Sequence, residues 1–158
     1  MAVKRSEVFE WISTLVRLAM AGILIFAAIP KLQDLPQSVR AVRAYKLLPE
    51  ALASFVGNWL PFLELTLALF LILGLFTRIA AIVWLVMMAA FMIGVGWVWY
   101  KGYPIDCGCF GGGGAVDPSE TQYPLHMLER VGFVILGTWL LIWPRTKFSL
   151  DGWVRGAV

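Results

Sequence analysis

The chain has 158 residues, of which 60% are hydrophobic and only 15% are charged, and its formal net charge is +3. A soluble domain of this size has about 45–50% apolar and about 25% charged residues, so the composition excludes a soluble globular protein and indicates a membrane protein with room for one domain. The basic residues are few and scattered, which leaves a nucleic-acid-binding role without support.

Four apolar segments are long enough to cross a bilayer, which takes roughly 17–25 residues of helix. We predict spanning helices at about 9–29, 59–76, 79–100 and 125–143, followed by a tail at 144–158. The fold class is therefore all-α, a four-helix transmembrane bundle that forms one membrane domain over residues 1–158. The first apolar stretch is too long for the core of a signal peptide, and Glu7 and Glu10 precede it, so we expect it to remain as a helix.

The first connection, at about 30–58, contains a helix of another kind. Over residues 35–48 polar side chains recur every three positions, at Gln37, Arg40, Arg43 and Lys46. Asp34 and Pro36 suit the start of a helix, and Pro49 suits its end. We predict a short amphipathic interfacial helix at about 35–48, whose basic face meets lipid headgroups or which forms a lid over the next loop.

Cys107 and Cys109 are the only two cysteines of the sequence, one residue apart on a glycine-rich loop at 101–124. A Cys-Gly-Cys disulfide closes a very small ring, and Gly108 can adopt the backbone angles that such a ring requires. Strained disulfides are easier to reduce, and a bridge across one residue removes little chain entropy. The pair is therefore better suited to redox exchange than to structural stapling.

Charged residues near the pair in the sequence indicate several roles. Asp106 would either disfavour a neighbouring thiolate by like-charge repulsion, or cap the turn, or move a proton. Lys101 and Arg130 are the cations nearest in the sequence that could stabilise a thiolate. A metal site would combine the cysteines with His126 and with Asp106 or Asp117, but the spacing matches no zinc pattern, and we predict no metal. An inert, reduced pair is the remaining alternative.

Two ionisable residues fall inside the predicted spans, where charges are costly and usually face the bundle or a cavity. Glu64 is expected about one turn into the second span, near the cysteine side. There it either hydrogen-bonds to a neighbouring helix end or to the first connection, or it delivers protons to a quinone or a thiolate. Arg17, near the middle of the first span, is expected to pair with a carboxylate or with carbonyl groups, the alternative being a bound ligand.

The connections also bear on orientation. Little more than Thr77 and Arg78 joins the second and third spans, so the two longer connections lie on the same side of the membrane. Basic residues are divided evenly between the two sides, and the positive-inside rule therefore assigns no direction. Because disulfides persist in oxidising compartments, we expect cytoplasmic termini and an extracytoplasmic cysteine loop.

One cysteine pair is only half of an electron relay. Electrons taken from a thiol partner have to pass to a quinone in the bundle or to a second protein. The sequence has no thioredoxin-like domain, so we expect a separate thiol–disulfide partner. The alternative function is a non-catalytic membrane anchor or assembly subunit of a larger respiratory or redox complex.

Several strings of residues occur in the order found in a known family. They are Arg17 and Lys31-Leu32 around the first span, residues 44–49, 60–65, 74–78 and 105–111, and Arg130. Over nearly its whole length the chain thus resembles the MauE branch of the DoxX-like four-helix membrane proteins, and the Asp-Cys-Gly-Cys-Phe-Gly string is its most specific feature. Two departures are Ala68, where relatives often have glycine, and Val131, where asparagine is common.

The resemblance implies a protein of the bacterial cytoplasmic membrane that acts with a thioredoxin-like partner in disulfide formation, during maturation of exported enzymes. Methylamine dehydrogenase is the named client, which we do not carry over because relatives serve other clients. DoxX relatives are linked to membrane-associated oxidoreductase assemblies, and DoxD-type relatives to thiosulfate:quinone oxidoreductase. The cysteine motif of the family carries over to Cys107 and Cys109 and its acidic position to Glu64. We expect a lipid bilayer around the chain and a quinone as the candidate cofactor.

Overall fold

The computed structural model describes residues 2–108, 110, 112–117 and 121–151 of the chain. Within these residues the elements are α1 (Ala2–Gln33), α2 (Leu35–Ala44), α3 (Glu50–Leu73), α4 (Thr77–Lys101), β1 (Ile105–Asp106), β2 (Gly114–Ala115) and α5 (Tyr123–Ile142). Helices α1, α3, α4 and α5 are long and apolar enough to span a membrane. The predicted multi-pass bundle, with a short helix between its first two spans, is confirmed. Residues 152–158 of the predicted tail lie outside the described part.

Helix α3 begins well before the predicted start at residue 59. Pro49 is its N-cap residue and Glu50 lies in its first turn, where a carboxylate interacts favourably with the helix dipole. The first turns of α3 include the polar residues Ser54 and Asn58. A prediction based on hydropathy excludes these turns from the span, and the predicted start at residue 59 was therefore too late. Glu64 therefore lies about four turns into the helix and not one.

The centre of the bundle is apolar, and so is its outer surface. Trp84 of α4 is fully buried, and its Nε1 donates a hydrogen bond to the carbonyl oxygen of Phe133 in α5 at 2.8 Å. Large apolar side chains on the outside are 63–69% exposed, at Leu15, Phe26, Val86, Ile93 and Leu128. Exposed apolar faces on long helices are what a lipid environment requires.

Helix α2 packs closely against the first half of α3. The Asp34 carboxylate caps α2 by accepting a hydrogen bond from the Gln37 backbone N–H at 2.8 Å. Ser38 Oγ donates to the carbonyl oxygen of Gly57 at 2.7 Å. A Cβ atom at Gly57 would lie 2.6 Å from the Val39 Cα atom, so this approach of two backbones requires glycine. The cysteine loop packs against α2 on the side of Ala41.

The segment after α5 closes the opposite end of the bundle. The Asp151 carboxylate accepts hydrogen bonds from the backbone N–H groups of Phe76 and Thr77, both at 2.9 Å, where α4 begins. Below this contact, Arg17 Nη2 donates to the carbonyl oxygens of Lys147 and Phe148 at 3.5 and 3.3 Å. The buried guanidinium of α1 is therefore bonded to backbone at the end away from α2.

Gly57→Ala should destabilise the protein, because the added methyl group overlaps the Val39 backbone and pushes α2 away from α3. Overpacking of this kind costs about 1–3 kcal/mol of unfolding free energy. Gly22→Ala is the matched control, since nothing lies within 4 Å of a Cβ atom at that position of α1. Unfolding in mixed micelles titrated with a denaturing detergent measures both variants, and equal stabilities would contradict the close packing of α2 on α3.

Candidate functional site

The cysteine motif lies in a short hairpin between α4 and α5. Strands β1 and β2 pair antiparallel, and among the described residues between them three glycines have positive φ: Gly108 at 64°, Gly112 at 72° and Gly113 at 89°. Such angles are strained for any residue with a Cβ atom. Asp106 Oδ2 accepts a hydrogen bond from the Gly113 backbone N–H at 3.2 Å, which closes the loop on itself.

Cys107 is buried beneath this loop, with 3% of its surface exposed. It packs in an apolar cluster with Val98, Ile105 and Tyr123. Its carbonyl oxygen accepts a hydrogen bond from Tyr45 Oη at 3.0 Å. Cys109, the second residue of the predicted pair, lies outside the described residues, so Cys107 alone defines the geometry of the site.

Helix α2 covers the hairpin. Gln37 Nε2 donates to the carbonyl oxygen of Gly113 at 2.6 Å. A Cβ atom at Gly108 would lie 2.8 Å from Ala41 Cβ, so glycine lets the loop press against the helix. The opposite face, with Arg40 and Arg43, is exposed. The helix therefore lies against the loop and turns its basic face outward, and contact of that face with lipid headgroups stays a prediction.

A buried ion pair lies below the hairpin. Lys31, at the end of α1, donates a hydrogen bond from Nζ to Glu64 Oε1 at 2.5 Å. The two residues are 5% and 2% exposed. Glu64 Oε2 has no hydrogen-bond partner within the described part of the chain. Removal of two charges from water is costly, so the pair persists only because each charge is compensated by the other.

Arg130 of α5 lies in an aromatic cage next to this ion pair. Its guanidinium carbon is 5.8, 5.5 and 5.3 Å from the ring centres of Phe91, Phe110 and Phe133, a cation–π arrangement. Arg130 is 2% exposed and interacts electrostatically with Glu64. Both residues line a cavity of about 20 Å³, which is room for about one water molecule.

A second cavity of about 20 Å³ connects Cys107 with the same ion pair. Its walls include Lys31, Ser38, Tyr45, Phe91, Cys107 and Gly108. Glu64 lines the first cavity, and Lys31, which bonds to Glu64, lines the second cavity together with Cys107. The ion pair therefore lies between the two cavities.

An apolar pocket of about 280 Å³ adjoins the cavity of Cys107. Residues of α2, α3 and α4 and the segment after α2 form it, and four of its lining residues also line the second cavity: Val42, Tyr45, Leu60 and Phe91. A Cβ atom at Gly94 would lie 3.1 Å from the Tyr45 ring, so glycine lets this ring occupy the boundary between the two spaces. The thiol therefore lies between a charged cluster and an apolar pocket.

The residues singled out from the sequence do not all meet. Asp106, Cys107, Glu64 and Arg130 lie at one end of the bundle, whereas Arg17 lies at the other. Lys101 is exposed and lies over the Trp97 ring at 4.9 Å. Within the described residues, no three His, Cys, Asp or Glu side chains form a group that could hold a metal ion.

Sequence reasoning missed three residues that shape the site. Lys31 faces Cys107 across the second cavity, Tyr45 bonds to the Cys107 backbone, and Phe110 inserts beside Arg130. Phe110 follows Cys109 directly and so anchors the motif in the bundle. The sequence offered two signals for these residues, which are the lysine at the end of an apolar span and the aromatic residue among glycines. Neither signal indicates which residue the side chain contacts.

Comparison with known proteins identifies the family. The sequence profile described as methylamine utilisation protein MauE matches residues 9–143. A curated relative, methylamine utilization protein MauE of Methylorubrum extorquens, is 37% identical over 103 residues, which are 65% of this chain and 55% of the relative. No solved structure matches the chain. Since the profile covers the cysteine hairpin and most of every spanning helix, the chain belongs to the MauE family.

Proposed function

We propose that the chain is a membrane thiol–disulfide redox protein that uses Cys107 and Cys109 on an extracytoplasmic hairpin. It exchanges with a thioredoxin-like partner in the maturation of exported proteins. The observation that carries this proposal is the placement of Cys107 at a small cavity that the buried, ion-paired Lys31 also lines. Although Cys107 packs in an apolar cluster, a cationic side chain at its cavity is the feature that separates a reactive cysteine from an inert, buried one.

The exchange reaction runs in two steps. A thiolate of the partner attacks one sulfur of the Cys107–Cys109 disulfide, a mixed disulfide forms, and the other sulfur leaves as a thiolate that takes up a proton. The second thiolate of the partner then attacks the mixed disulfide, which oxidises the partner by two electrons and leaves a dithiol on this chain. Gly108, with its positive φ, suits the small ring that the disulfide closes.

An isoprenoid quinone is the electron acceptor that we propose for reoxidation. Transfer of two electrons and two protons from the dithiol to the quinone gives the disulfide and a quinol. The apolar pocket beside Tyr45 supports this role, because it adjoins the cavity of Cys107 and is built from helices with lipid-facing outer surfaces. The membrane itself holds the quinone, so no soluble oxidant is required.

The cellular setting follows from the same chemistry. We place the chain in the bacterial cytoplasmic membrane as one membrane domain, with cytoplasmic termini and with α2 and the hairpin outside. The name of its relative connects that protein with methylamine utilisation. The client enzyme is not carried over from that relative, and the sequence resemblance to DoxX-like proteins supports a role among membrane redox components.

Single cysteine substitutions should trap the partner. Cys107→Ser or Cys109→Ser leaves one thiol that cannot resolve a mixed disulfide, so one of the two variants should hold the partner in an adduct on non-reducing gels. The double variant is the control and should form no adduct. A non-catalytic anchor would instead retain its partner through every substitution and show no adduct with either single variant.

Orientation is measured with single reporter cysteines in the Cys107→Ser, Cys109→Ser background. Arg40→Cys, on the exposed face of α2, should react with a membrane-impermeant maleimide in intact cells. Arg78→Cys, at the start of α4 on the other end of the bundle, should react only after lysis. The reverse pattern would place the hairpin in the cytoplasm and reject an extracytoplasmic site.

Filling the apolar pocket should slow reoxidation. Ala90 lines the pocket and Ala89 does not, although both are exposed on α4. Ala90→Trp should lower the rate at which a short-chain ubiquinone oxidises the reduced protein by about tenfold, which is about 1.4 kcal/mol of activation free energy. Quinol formation is followed by absorbance, and equal rates for Ala90→Trp and Ala89→Trp would exclude the pocket as the quinone site.

A further inference from the structure

We infer that the Lys31 ammonium stabilises the thiolate of Cys107 and that Glu64 is the residue that positions this ammonium. The inference rests on the proposed thiol exchange, because a thiolate is its attacking and leaving group. Lys31 is distant from Cys107 in the sequence, and only the packing of α1 beneath α2 and the hairpin brings it to the cavity of the thiol.

The cavity between the two residues favours a direct electrostatic effect. Its volume of about 20 Å³ leaves room for about one water molecule between Lys31 and Cys107. An ammonium has three N–H donors, and the bond to Glu64 uses one of them. The hydroxyl groups of Ser38 and Tyr45 donate to the carbonyl oxygens of Gly57 and Cys107. Apolar walls screen the remaining charge weakly.

Other charged groups near the hairpin are engaged elsewhere. Asp106 Oδ2 accepts the hydrogen bond of Gly113 N–H, and Arg130 lies in its phenylalanine cage on the far side of Glu64. Lys101 and Lys46 lie over aromatic rings, at 4.9 and 4.6 Å from the ring centres, and both are exposed. Within the described residues, Lys31 is therefore the cation that lines the cavity of Cys107.

The placement of the charged residues points in the same direction. Lys31 lines the cavity of Cys107, whereas Glu64 and Arg130 line the other cavity, so within the described residues the thiol shares its cavity with a cationic side chain and not with the carboxylate. A cation in weakly screening surroundings favours a neighbouring anion. The thiolate of Cys107 is the anion that the proposed reaction generates at this place.

Glu64 has a positioning role in this arrangement. Lys31 is buried, and Glu64 Oε1 accepts its hydrogen bond at 2.5 Å and compensates its charge. The hydrogen bond also fixes the position of the lysine side chain. When the partner's thiolate attacks the sulfur of Cys109, a mixed disulfide forms, the Cys107–Cys109 bond breaks, and Cys107 leaves as a thiolate that takes up a proton from water.

The test measures the reactivity of Cys107 alone, in the Cys109→Ser background and in nanodiscs. The rate of alkylation by iodoacetamide is recorded across acidic, neutral and alkaline pH, which gives the midpoint of thiolate formation. Lys31→Met combined with Glu64→Gln removes the charged pair together and should raise this midpoint by about one pH unit, with about tenfold slower alkylation at neutral pH. Lys31→Arg keeps the cation and should keep the midpoint.

Further variants distinguish electrostatics from packing. Lys31→Met alone removes the cation and keeps the carboxylate, so it should raise the midpoint at least as much as the double variant. Lys101→Met removes a cation outside the cavity and should leave the midpoint unchanged. If the Lys31→Met variants do not fold, Lys31→Gln combined with Glu64→Gln, an uncharged hydrogen-bonding pair, decides the question. Glu64→Gln alone keeps the cation and should slow turnover of the cysteine pair, because the position of the Lys31 side chain is no longer fixed.

An unchanged midpoint without the lysine would overturn the inference, even if the variants were less stable. The outcome is independent of the partner, because alkylation needs no exchange. A shifted midpoint without any trapped adduct would reject the proposed function and retain the role of Lys31, whereas an adduct with an unshifted midpoint would do the reverse.

Discussion

The buried hydrogen bond between Lys31 and Glu64 is the interaction on which the arrangement of this end of the protein depends. It ties the end of α1 to the middle of α3, at the depth where the hairpin meets the bundle. In apolar surroundings, the loss of one charged partner leaves the other uncompensated, which costs several times more than a surface ion pair contributes. The bond therefore fixes the position of α1 relative to α3. It also constrains the position of α2, because a single residue separates the end of α1 from the start of α2.

The position of α2 in turn determines the shape of the thiol loop. Helix α2 is fixed on α3 by the contact of Val39 with Gly57, and its other side receives Gly108 and Gly113 against Ala41. Glycine is needed on both sides of α2 for the same reason: the backbone of α3 and the backbone of the loop each lie closer to α2 than a Cβ atom would allow. The loop is thus held by shape complementarity as well as by hydrogen bonds, and its conformation is coupled to that of α2.

Cys107 lies where two different environments meet. Toward the interior lies a cluster of one acidic and two basic side chains, while toward α4 lies an apolar pocket. In the proposed function, thiol exchange uses the first environment and reoxidation by a quinone uses the second. The burial of Cys107 also limits its reaction with small oxidants in solution, since access depends on the loop and α2.

By itself, the sequence determined the four spans, the capped start of α2 at Asp34 and the need for glycine at 108, because apolar length, cap chemistry and backbone strain are local properties. It also marked Glu64 and Arg17 as unusual for a membrane interior. Tertiary structure alone decided that Lys31 pairs with Glu64 and lines the cavity of Cys107, that Phe110 anchors the motif against Arg130, and that Arg17 belongs to the opposite end. Each of these contacts joins residues from different helices or loops, and the partner of a buried charge depends on which elements pack together, a property that no local pattern contains.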